Sequence, residues 1–128
     1  MFTKGMTYTR REIHLEVGGD LVSYLPSLGG RVVAACLRPD TDPDAPRVIL
    51  PGSGPGIERS ARRFVSQGSA VPTFLRLGPH RLQYVGRFAA DRWSHDAAEI
   101  GAQHRRSKRS EVGRDRITSV IHTVERSE

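Results

Sequence analysis

The sequence predicts an α+β domain, a mixed and strongly curved sheet or partly closed β-barrel of about five strands flanked by two or three helices. Three observations predict it. Short apolar runs bounded by Gly and Pro recur along the chain and read as strands. Residues 57–65 place Ile57, Ala61, Phe64 and Val65 at helical spacing. Several strands are separated by turns too short to hold a crossover helix, which argues against a simple βαβαβ sheet.

The elements follow in order. Residues 1–7 read as a disordered tail, and residues 8–126 as one α/β domain. Thr9-Arg10-Arg11-Glu12 matches a capping box, so a first helix begins there and stops at Gly18-Gly19. Residues 21–25 read as a short strand before Pro26, and residues 31–38 (RVVAACLR) as one central strand. Residues 39–46 (PDTDPDAP) form a loop by composition, and residues 47–50 a further strand. The Gly- and Pro-rich stretch 51–56 opens a second helix that ends near Gly68. Strands are expected at 71–77 and 82–88, joined by a turn at Gly78-Pro79. Ser94 is placed as the cap of a third helix running to Ile100. Residues 103–116 read as a mobile basic loop, and residues 116–124 as a closing strand with Ile117, Val120 and Val124 buried.

Charge narrows the function classes. Twenty Lys and Arg against 14 Asp and Glu leave a net charge of +6, which attracts phosphates without any sequence contact. Nearly all the positive charge is Arg, the side chain that grips phosphate bidentately and stacks on bases. No basic amphipathic helix with bulky apolar anchors is present, so no membrane is expected as a partner. Cys36 is the only cysteine, which rules out an intramolecular disulfide. With no apolar leader or membrane-length stretch, a cytoplasmic location is the expectation.

The motifs of common enzymes are not met. The Gly52-Ser53-Gly54-Pro55-Gly56 turn lies between a strand and a helix, where phosphates sit on helix N-termini. It has neither the Gly-Lys-Ser/Thr ending of a Walker loop nor the dinucleotide spacing, so it reads first as a structural turn. Asp40, Asp42 and Asp44 alternate like the start of a calcium loop, but Arg47 and Pro51 fall at the positions of its Gly and Glu. They are expected to form a solvated acidic turn. The five histidines show no HExxH or Cys-pair context, so no metal is assigned. No nucleophile motif is found, no catalytic residue is assigned and no cofactor is expected; the chain reads more as a binder than an enzyme.

Binding residues are nominated on two grounds. Arg59, Arg62 and Arg63, with Arg105, Arg106, Lys108 and Arg109, form two basic clusters suited to phosphate contacts. Tyr24, Tyr84 and Trp93 are amphipathic aromatics near the ends of expected elements, the type that holds a base taken out of its stack.

Two stretches carry a resemblance. Residues 8–19 (YTRREIHLEVGG) resemble the R-x-x-I-H-x-x-x-G-G opening of SRA-like domains in bacterial modification-dependent restriction proteins. Residues 82–88 (LQYVGRF) resemble the aromatic strand late in modules of the PUA superfamily, which includes the SRA, EVE and ASCH groups. The residues carried over are Arg11, His14, Gly18, Gly19, Tyr84 and Gly86, with Arg11 and His14 placed beside a base pocket. Asp20 and Leu21 depart from the Gln and Gly that commonly follow the Gly pair.

The resemblance implies a PUA-like reader that holds a modified or flipped base, with nucleic acid as partner (DNA favoured over RNA) and a separate effector protein as a further one. Two alternatives stand beside it. One is a small ASCH-like amidohydrolase of modified nucleosides, whose Lys-based form is disfavoured because Lys4 and Lys108 both fall outside the expected elements. The other is a protein–protein adaptor of a restriction or toxin system.

Overall fold

The best-marked element of the sequence is the second helix, and in the computed structural model, described here for residues 1–127, it organises one side of a mixed sheet. Helix α2 (Pro55–Gln67) has Pro at its first turn and stops at Gly68 in the left-handed conformation. Its face of Ala61 and Phe64 is fully buried, with Val65 packed at the margin. Helix α1 (Arg10–Val17) has the expected capping box: the Thr9 hydroxyl accepts from the Glu12 N–H, and the Glu12 carboxylate accepts from the Thr9 N–H.

The strands are β1 (Thr7–Tyr8), β2 (Ser27–Leu28), β3 (Arg31–Val32), β4 (Ala35–Leu37), β5 (Val48–Ile49), β6 (Val71–Gly78), β7 (Arg81–Ser94) and β8 (Val120–Arg126). Helix α3 (Ala97–Arg106) and a 3₁₀ turn at Gly113–Asp115 complete the elements. The main sheet has six strands in the path β4-β6-β7-β8-β5, with β1 added on β7, and β2 and β3 form a small second sheet. The fold is therefore α+β with a mixed sheet, as expected, but no pairing closes it into a barrel among the described residues.

Strand β7 is the hub. It pairs with β6 along its first half and with β8 along its second, and β1 occupies the edge that β8 leaves open at Leu82 and Gln83. Strand β4 runs parallel to β6, and α2 lies in the connection between them. Alternation along β4 sends Ala35 and Leu37 into the core shared with α2, and Cys36 into the core shared with Ile13 of α1. Gly86 has φ +122, and a Cβ there would come within 2.7 Å of the Glu125 carboxylate, so the Lys4–Glu125 ion pair lies directly over it.

Several sequence expectations need correction. The tail at 1–7 carries part of β1, and Phe2 packs edge-on against Phe74 and Tyr8, because this apolar ring has a ready-made aromatic pocket. Residues 21–25 are not a strand: the Asp20 carboxylate accepts from the Val22 and Ser23 N–H groups and bends the chain. The single strand at 31–38 is two, since Val33 donates to the Pro26 carbonyl and the chain changes sheets there. Helix α3 is capped by Asp96 rather than Ser94 and continues to Arg106, so the first part of the expected 103–116 loop is helical.

Candidate functional site

The two parallel strands end side by side, and a pocket of about 800 Å³ opens beyond their carboxyl ends at Leu37-Arg38 and Arg76. That location is the usual ligand crevice of a sheet with parallel strands, because the crossover helix starts there too. The first turn of α2 contributes Gly56, Ile57 and Ser60 to the wall. Its leading N–H groups have no acceptor within the helix and carry the positive end of the helix dipole. The other walls are residues 21–24, the β6–β7 hairpin at Pro79 and His80, and residues Arg109, Arg114 and Asp115. The volume suits a ligand of nucleotide size.

Five arginines reach this pocket: Arg10, Arg38, Arg76, Arg109 and Arg114. Their duties differ. Arg10 donates to the Ser23 and Asp20 carbonyls and so fixes the 20–23 turn that forms one lip. Arg38 pairs with Asp40. Arg76 and Arg114 make no ion pair among the described residues, which leaves both guanidinium groups available at the mouth.

Arg109 meets Asp42 at 2.6 Å, and both side chains are largely withdrawn from water. The second Asp42 oxygen accepts from the Leu50 N–H at 3.3 Å. Burial raises the Asp42 carboxyl to about 6, with Arg109 opposing the rise. Tyr24 stands beside this pair; its hydroxyl donates to the Ile57 carbonyl at 2.6 Å, and burial raises its ionisation well above the ordinary range. Cys36 lies deeper, and burial pushes its thiol up to about 11, which makes it a poor nucleophile.

The nominated residues divide. Tyr24 and Arg109 line the pocket. Tyr84 does not: it is buried in the aromatic group with Phe2 and Phe74 on the α1 side of the sheet. Trp93 packs against the α2-side core, 4.6 Å from the ring of His95, outside the pocket wall. His14 is exposed, with Nδ1 2.6 Å from the Gly19 carbonyl just past the end of α1, and Arg11 is exposed on the same helix. Arg59 and Arg62 are exposed on α2 and Arg63 is partly covered; Arg59 and Arg63 stand one helical turn from the pocket-lining Gly56 and Ser60. Arg105 and Lys108 are exposed, whereas Arg106 is tied to Asp44.

Sequence reasoning missed Arg38, Asp42, Arg76, His80 and Arg114, and it assigned to Arg11 the place that Arg10 holds in the R-x-x-I-H stretch. Asp42 is the main correction: the acidic turn is not uniformly solvated, because Asp42 turns inward to Arg109, 67 residues away. Arg38 and Arg76 carried one usable signal, a charge at the carboxyl end of an apolar strand. Among the described residues no cluster of His, Cys, Asp or Glu is arranged to hold a metal ion, and no helix is long and apolar enough to cross a membrane. No family model, curated protein or solved structure matches the chain.

Proposed function

We propose that the chain is a nucleic-acid-binding module, PUA-like in kind and working in the cytoplasm, that accepts one nucleotide in the basic pocket. The observation that carries the reading is a single nucleotide-sized cavity in which unpaired arginines, a helix N-terminus, an aromatic wall and a buried carboxylate converge. Arg76 and Arg114 take backbone phosphate, and the exposed arginines of α2 extend the positive track. Tyr24 offers a face for the base. A nucleotide turned out of a DNA duplex fits this arrangement, and a modified base is the intended ligand.

The test is fluorescence anisotropy with single-stranded DNA, duplex DNA and RNA across a salt series. The expected result is an affinity whose logarithm falls steeply with log salt, weakened by joint replacement of Arg76 and Arg114 with Ala. Absence of binding at low salt would remove the proposal.

A second reading draws on Asp42 alone. A carboxyl raised to about 6 inside a pocket is suited to proton transfer near neutral pH, which favours a small hydrolase of modified nucleosides. Turnover of such nucleosides, abolished by Asp42→Asn, would support it, and an inert wild type would exclude it for the nucleosides tested.

A further inference from the structure

The β6–β7 hairpin turns through Pro79 and His80, between the paired residues Gly78 and Arg81. His80 has φ +58, the sole non-Gly residue with positive φ among the described residues. Pro at the first central position and positive φ at the second are the pattern of a type II turn, whose second position favours Gly or Asn. A histidine there costs conformational energy that a glycine would not. The chain gains nothing internal in exchange. The His80 ring is exposed, and it has no hydrogen bond, ion pair or ring contact among the described residues. His80 lines the pocket, whose wall also includes Arg76 and Arg10.

From this conjunction we infer that His80 is a ligand-contacting residue: its imidazole N–H donates to a phosphate oxygen of the nucleotide seated in the pocket. The inference rests on the nucleic-acid reading above. The position places His80 at the hairpin tip beside the pocket, and contact with the ligand explains why a histidine occupies a place suited to glycine. Phosphate is the fitting acceptor because the neighbouring lip is cationic and already draws anions.

The experiment sets stability against affinity. Thermal unfolding and anisotropy with a labelled mixed-sequence single-stranded DNA are measured for the full chain, His80→Gly, His80→Asn and Arg76→Ala. His80→Gly is expected to melt at a higher temperature while binding about tenfold more weakly, the loss of one hydrogen bond to a charged group. His80→Asn, which tolerates positive φ and keeps an N–H donor, is expected to recover part of that affinity. A role confined to the turn would move stability alone. Wild-type affinity in His80→Gly, with Arg76→Ala impaired, would overturn the inference and leave the nucleic-acid reading standing. Absence of wild-type binding to DNA or RNA would overturn both.

Discussion

Replacing Arg109 with Met removes the guanidinium facing Asp42 and keeps most of the apolar stem. Breaking a buried ion pair from one side ordinarily costs about 3–5 kcal/mol. Here the cost has a lower ceiling, because Asp42 has a neutral form within reach. Its carboxyl is raised to about 6 even with Arg109 in place. At pH 7 the ionised folded form is therefore favoured over the neutral folded form by only on the order of 1 kcal/mol. Once Arg109 is gone Asp42 takes up a proton, and the charge loss stops there. At pH 8 the ceiling rises to roughly 3 kcal/mol, and near pH 5 it falls towards zero because the carboxyl already holds its proton.

The same shift sets the sign for the wild type. The folded state binds this proton more tightly than the unfolded state, so Asp42 lowers stability as pH rises from about 4 to about 6. Urea unfolding of both proteins at pH 5, 7 and 8 reads these differences directly. A loss of 3–5 kcal/mol equal at all three pH values would refute the reasoning, since Asp42 would then remain charged without its partner.

Four further outcomes are expected. Affinity for a single-stranded DNA probe should tighten as pH falls from 7 to 5, because protonation removes a negative charge from the pocket; Asp42→Asn should flatten that dependence, read by anisotropy. Joint Arg76→Ala and Arg114→Ala substitution should lower the slope of log affinity against log salt by about 2, leaving the melting temperature near that of the wild type. Phe64→Ala should cost about 3–5 kcal/mol in urea unfolding, since its ring is fully buried between α2 and the sheet. Gly86→Ala should cost about 1–3 kcal/mol, because its Cβ would press on the Glu125 carboxylate at a positive φ.

What the sequence made legible follows from what acts locally. The amphipathic period of α2, the Thr9 capping box and the alternation of Leu82, Tyr84 and Phe88 are each set by near neighbours, and each matches the structure. The apolar run 31–38 does not reveal its break, because the break depends on Val33 meeting Pro26. Asp42 is a harder case: it sits inside the loop-like run 39–46, and only the fold brings Arg109 to it. Tyr84 and Tyr24 look alike along the chain, yet one is enclosed by Phe2 and Phe74 while the other faces the pocket. For side chains of equal chemistry, the face of the sheet decides the role.

The last strand has a consequence for when the pocket comes into being. Among the described residues strand β5 pairs only with β8, and Thr123 holds both Pro46 and Arg47 at the end of the loop that carries Asp42. Thr118 grips Pro51 and Gly52 ahead of α2 in the same way, and Arg109 arrives on the segment before it. A chain emerging from the ribosome has the residues of α1, α2 and the β6–β7 hairpin long before it has these fasteners. A fragment ending near residue 108 lacks Arg109, the ion-pair partner of Asp42, and the strand that pins its loop. The wall of the pocket is thus complete only once residues 109–123 are in place, although most of its lining lies before residue 83.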